Sequence, residues 1–139
     1  MDRVLVLVVL LGAAAAAAEE ERPPFLLGGL SPVPTDDPEV VNAIRVAEEN
    51  FNRRSNDVSY TAVYNVTSAQ IQVVEGLMYH LNLELRTTVC RKNEPDLRNC
   101  PFHQDPQHAK RMTCRFKVWY RPWVGPMEVN ESQCTGVLK

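Results

Sequence analysis

From Leu77 to Val89, apolar and polar residues change places at nearly every step. Leu77, Tyr79, Leu81, Leu83 and Leu85 hold one phase; Met78, His80, Asn82, Glu84 and Arg86 hold the other. A period of two requires an extended strand with one covered face, and it is incompatible with a helix. A second alternating run, Val58, Tyr60, Ala62, Tyr64 and Val66, precedes it, and Gln72-Val73-Val74-Glu75-Gly76 lies between the two. Two strands meeting at a glycine read as a hairpin, because Gly adopts turn conformations closed to residues with a Cβ. The earlier run loses phase around Ser68 to Gln70 and resumes at Ile71, which predicts a bulge there. An outward tip of this kind is where binding residues tend to sit.

The rest of the chain supplies partners for that hairpin. Asp37-Pro38-Glu39 is a helix start, with a capping carboxylate, Pro at the first helical position and acid in the first turn. Val40, Ile44, Ala47 and Phe51 then form one apolar stripe, predicting an amphipathic helix that ends near Arg53 or Arg54. Met112, Cys114, Phe116, Val118 and Tyr120 make a further alternating run. Arg121 to Pro126 is a turn, and Met127 to Cys134 reads as a returning strand. One helix followed by antiparallel strands is an α+β pattern, with the helix laid across the sheet.

The N-terminus reads differently. Val4 to Leu11 is continuously apolar, Ala13 to Ala18 is small, and an acidic run begins at Glu19. This is the pattern of a secretory signal peptide over residues 1–18, and it falls short of the roughly 20 residues of a membrane span. Residues 19–139 then form one domain, opening with an arm over 19–27 that lacks periodicity. Within and just after the arm, Phe25-Leu26-Leu27-Gly28-Gly29-Leu30 is an apolar island suited either to binding or to folding back on the core. An exported chain with four cysteines, Cys90, Cys100, Cys114 and Cys134, reads as disulfide-bonded. Three pairings are open; the local one closes two short loops. The cysteine and histidine spacings match no zinc motif. A net charge of -2 gives no global argument for nucleic acid or an anionic membrane.

In this order, the Gly28-Gly29 pair, the Gln72-x-Val74-x-Gly76 tip, the Pro122-Trp123 turn and the four cysteines resemble the secreted, two-disulfide cystatins, inhibitors of papain-like cysteine proteases. Arg86-Thr87-Thr88-Val89-Cys90 and Asn99-Cys100-Pro101-Phe102-His103 are similar to that family too. The resemblance implies a cystatin fold, with a five-stranded antiparallel sheet wrapped around one long helix. It implies the pairs Cys90–Cys100 and Cys114–Cys134. It also implies a reversible, tight-binding inhibitor with no cofactor, no metal and no catalytic residues. Its contact residues for cathepsins would be Leu26, Leu27 and Gly28 of the arm, Gln72, Val73, Val74, Glu75 and Gly76 of the first tip, and Pro122 and Trp123 of the second. Ser55-Asn56-Asp57 resembles a second site, for legumain, in some members. A monomer open to hairpin exchange into a swapped dimer is the implied assembly.

Other readings attach to particular residues. The alternative is a non-inhibitory relative, such as a cathelicidin-like propiece; it would carry degraded tips and a separate basic tail, and it ranks second because the three tip motifs here are intact. Asn65 and Asn130 each begin a glycosylation sequon. Arg111, Arg115, Lys117 and Arg121 mostly share one strand face with Trp119, as an anion site would, but a solvated outer face with a cation–π contact is the favoured reading. His80, His103, His108 and Lys117 are the residue types of a small nuclease, but their spacing supports no such centre.

Overall fold

The computed structural model describes residues 28–138. Five strands form one antiparallel sheet in sequence order: β1 (Leu30–Pro32), β2 (Ser59–Val74), β3 (Gly76–Arg91), β4 (Arg111–Tyr120) and β5 (Glu128–Leu138). One helix, α1 (Pro38–Arg54), lies between β1 and β2 in the chain. The signal peptide, Leu26 and Leu27 fall outside the described residues.

The helix begins as its sequence requires. Asp37 Oδ1 accepts from the backbone N–H groups of Glu39 (2.9 Å) and Val40 (3.4 Å). Val40, Ala43 and Ala47 are fully buried against Leu81, Leu83, Leu85, Phe116 and Val118, which are the inward residues of β3 and β4. Ile44 and Phe51 flank this cluster half-buried. The small residues Ala43 and Ala47 let the helix axis approach the sheet, so leucines from the strands fill the space between layers.

The expected bulge in β2 is displaced and doubled. Pairing with β3 shifts register between Val63 and Asn65 and again between Val66 and Ser68, so the breaks precede Ser68–Gln70. Each bulge adds a residue, and Val63, Val66 and Ala69 therefore all turn inward at a spacing of three. Tyr64, in phase with Tyr60 and Ala62 by sequence, is 50% exposed instead. Its ring takes the edge of Phe102 at 5.3 Å and the guanidinium of Arg86 at 3.3 Å. Bulges bend and over-twist a strand, which is how the long β2–β3 ribbon curves around the helix.

Both disulfides have the local pairing, Cys90–Cys100 and Cys114–Cys134. The first ties the loop after β3, where Thr88 and Phe102 also pair; the second joins residues directly opposite on β4 and β5. The strand β1 carries no alternation in sequence. It is three residues at the sheet edge, pairing Leu30, Ser31 and Pro32 with Gln72, Ile71 and Gln70, and an edge tolerates proline.

Beyond β1, the edge of β2 is closed by helix side chains. Asn52 Nδ2 donates to Thr61 O (2.7 Å), and Thr61 N–H donates to Asn52 Oδ1 (2.8 Å). One turn earlier, Glu48 accepts from Val63 N–H (2.9 Å) and from the Tyr60 hydroxyl. Burial, with the Glu48 bond second, pushes the Tyr60 pKa far above its usual value. The pair at i, i+4 stands in for a missing strand, so the buried backbone groups keep partners.

Candidate functional site

Three segments converge at one end of the sheet. The first is the β2–β3 turn. The strands run up to Val74 and resume at Gly76, so Glu75 alone forms the bend. Gly76 has φ +86°. A Cβ there would stand 2.4 Å from Tyr120 O and 3.3 Å from Trp123 Cη2. Glycine is therefore required twice, by the backbone conformation and by the approach of the neighbouring segment.

That neighbour is the β4–β5 turn, residues 121–127, the second segment. Leu77 pairs with Tyr120, which sets the two turns side by side. Val124 and Gly125 N–H groups both donate to Arg121 O, at 2.9 and 3.2 Å. Pro122 restricts the turn further. It presents Trp123, 62% exposed, and Val124, 61% exposed. Large apolar side chains held outward on a short, hydrogen-bonded turn are suited to anchoring a partner.

The third segment is the start of the described chain. Gly28 N–H donates to Val73 O (3.1 Å), and Gly28 O accepts from Gln72 Nε2 (2.9 Å). Gly28 has φ +81°, a left-handed conformation that favours glycine. The Gln72 amide is oriented by a second bond, in which His80 Nε2 donates to Oε1 at 2.8 Å. Burial, followed by the charge of Lys117, holds the His80 pKa below its ordinary value, and Glu131 opposes the shift. His80 thus holds the Gln72 amide from the neighbouring strand. His103 and His108 stack on each other in the loop before β4, with His108 bonded to Asp105.

Gly28, Gln72, Val73, Val74, Glu75, Gly76, Pro122 and Trp123 thus occupy one end of the molecule. The Glu75 side chain is exposed and its carbonyl accepts from Trp119 Nε1. Two of the four cations along β4 and the turn after it are paired: Lys117 with Glu131 (3.0 Å) and Arg121 with Glu128 (2.6 Å), the latter guanidinium also stacking on Trp119. Exposed and partly paired charges of this kind suit a solvated sheet face.

Ser55-Asn56-Asp57 lies at the other end, after the helix. Ser59 N–H, and after it Lys110, hold the Asp57 carboxyl below its usual range against the effect of burial. Asp57 N–H donates to Ser55 Oγ (3.1 Å) and Lys92 Nζ to Ser55 O (2.7 Å). Asn56, between two fastened neighbours, is exposed. Asn65 on β2 and Asn130 on β5 are exposed too.

Sequence reading gave His80 and Trp119 other roles and missed Glu48 and Asn52. Their partners are backbone atoms and side chains brought close by pairing and packing. For Glu48 and Asn52 the readable signal is weak: two polar residues one turn apart, on the flank of an apolar stripe.

A model of the cystatin domain matches residues 28–123 of the chain. Cystatin-2 of Crotalus adamanteus is 41% identical over 110 residues, covering 79% of this chain and 81% of the relative. Cystatin-C of Homo sapiens is 35% identical over 111 residues, covering 80% and 76%. The crystal structure of dimeric human cystatin F superposes with a TM-score of 0.71 at 30% identity, over 86% of this chain and 95% of that one.

Proposed function

The chain belongs to the cystatin family, inhibitors of cysteine proteases and not enzymes, and from that premise we propose that it plugs the cleft of papain-like proteases, cathepsins among them, with a three-part wedge. The observation that carries this reading is the convergence of Gly28, the Glu75 turn and the Trp123 turn at one end of the sheet. Leu27, the residue before Gly28, would fill the pocket for the second residue before the scissile bond, with Leu26 beside it. Burying one leucine contributes about 1.5–3 kcal/mol, roughly ten- to a hundredfold in affinity. The bend at Gly28 would take the chain away from the catalytic thiolate. With no carbonyl at attack distance, the arm is not cut and inhibition is reversible. Val74 and the tip backbone would meet the middle of the cleft, and Trp123 its far side. Tips already held by strands lose little entropy on binding.

Titrating papain and a cathepsin with residues 19–139 tests the proposal. Tight, reversible inhibition is expected, weakened by deleting the arm through Gly28 and by Trp123→Ala. No inhibition at micromolar protein would overturn it.

A second reading concerns legumain. The exposed Asn56 between two fastened neighbours supports a substrate-like loop that resists distortion. The loop lies at the opposite end from the wedge, so both proteases would bind at once. Asn56→Lys is expected to abolish legumain inhibition and spare papain inhibition; an unchanged legumain constant refutes it. Residues 1–18 are read as a cleaved export signal, consistent with the two disulfides, and the mature protein as a secreted monomer. Mass spectrometry of secreted protein would report both the cleavage point and glycan occupancy at Asn65 and Asn130.

A further inference from the structure

Trp119 belongs to none of the three wedge segments, yet it touches the backbone of one and is clasped by the base of another. Its indole Nε1 donates to Glu75 O at 2.7 Å, across the gap between the two turns. The guanidinium of Arg121 lies over the same ring, 3.6 Å from its centroid. Arg121 Nη2 in turn reaches Glu128 Oε1 at 2.6 Å. The contacts form a continuous series: tip carbonyl, indole, guanidinium, carboxylate. They run from the β2–β3 turn through β4 to the first residue of β5. On the same outward face, Met78 stands directly opposite Trp119 and is buried. At Gly76 the turns meet a second time, where a Cβ would lie 2.9 Å from Arg121 Cγ.

A turn of one residue between two strands has few contacts of its own, and its outward carbonyl would otherwise bond only to water. Fastening that carbonyl to β4 removes tip motion before any partner arrives. Ordering that is complete in the free protein is not lost on association.

From this geometry we infer that Trp119 is a positioning residue for protease binding. Through the Glu75 carbonyl it makes the two tips one rigid body, and Arg121 holds its ring in place. The inference rests on the wedge reading, and its test separates the two.

The test compares wild type, Trp119→Phe and Asn52→Ala. Phe keeps an aromatic ring under Arg121 and removes only the N–H. In wild type, nitrogen-15 relaxation should report Glu75 and Gly76 as rigid as the strands, with a slowly exchanging indole N–H. In Trp119→Phe the same two amides should become mobile, and the papain dissociation constant should rise about fivefold, the equivalent of one hydrogen bond. Asn52→Ala, placed at the far end of the helix, should lose stability with tip order and affinity unchanged. The inference is overturned if Trp119→Phe leaves tip relaxation and affinity at wild-type values. It is also overturned if Asn52→Ala weakens inhibition as much. If wild type does not inhibit papain at all, the wedge reading falls, and the relaxation comparison still decides the clamp.

Discussion

Replacing Asn52 by alanine measures how the helix closes the open edge of β2. Asn52 is 7% exposed and Thr61 2%. The side chain makes three hydrogen bonds, to Glu48 O (2.8 Å), to Thr61 O and from Thr61 N–H. Within a helix the Glu48 carbonyl keeps an intrahelical partner, so its loss matters least. The two Thr61 groups have no such substitute, because β1 reaches only to the register of Gln70. Leaving a buried N–H or C=O unpaired costs about 1–3 kcal/mol each. Taking the lower half of that range for a site near the sheet rim, Asn52→Ala should cost about 3 kcal/mol. For a domain of this size that is a fall in Tm of roughly 12 °C. Urea unfolding with both disulfides intact is the assay, since small disulfide-bonded domains unfold in a two-state manner. The midpoint should fall with an unchanged slope, and the Thr61 amide should exchange faster than its neighbours. A loss below about 0.5 kcal/mol, the range of an ordinary surface substitution, would refute the reasoning and mean that water satisfies Thr61.

Gly76→Ala and Gly28→Ala should separate two meanings of a positive φ. Gly76→Ala adds left-handed strain of about 1–2 kcal/mol to a backbone clash at Tyr120, and papain affinity should fall more than tenfold. Gly28→Ala meets nothing within 4 Å, so thermal unfolding should show a much smaller loss. Asp37→Ala removes the helix cap and should cost about 1 kcal/mol in urea unfolding, without affecting inhibition. His80 supplies a pH dependence. Its folded pKa lies below the ordinary 6.5, so the unfolded chain binds more protons between the two values. Its contribution to stability is present above about pH 6.5 and is lost as pH falls through the folded value; Lys117 of β4, Glu131 of β5 and Gln72 of β2 surround it. His80→Gln should flatten that part of a stability-against-pH curve, and an unchanged curve would assign the slope elsewhere.

Much of this protein follows from local chemistry. The Asp37-Pro38 start of the helix, the alternation of β3 and β4, and the glycine of the first tip depend on each residue's own backbone preferences and on a periodic covered face. They hold in any fold that accepts the segment, so they are legible in the chain alone. The turns at Gly76 and Pro122 were legible for the same reason, while the grouping of Gly28, Gln72–Gly76 and Pro122-Trp123 into one site came from the family resemblance. Tertiary structure decided the rest. Two bulges turn Val63, Val66 and Ala69 inward and Tyr64 outward, because a register shift is a property of two strands and not of one. The short β1 gains its hydrogen bonds only from Gln70 to Gln72. Glu48 and Asn52 look like solvent-facing helix polar residues until an unpaired strand edge is set beside them. Trp119 and His80 look like members of an outer sheet face until the Glu75 carbonyl and the Gln72 amide come within bonding distance. Local preference selects the elements; pairing and packing between distant segments determine which atoms those elements bring together.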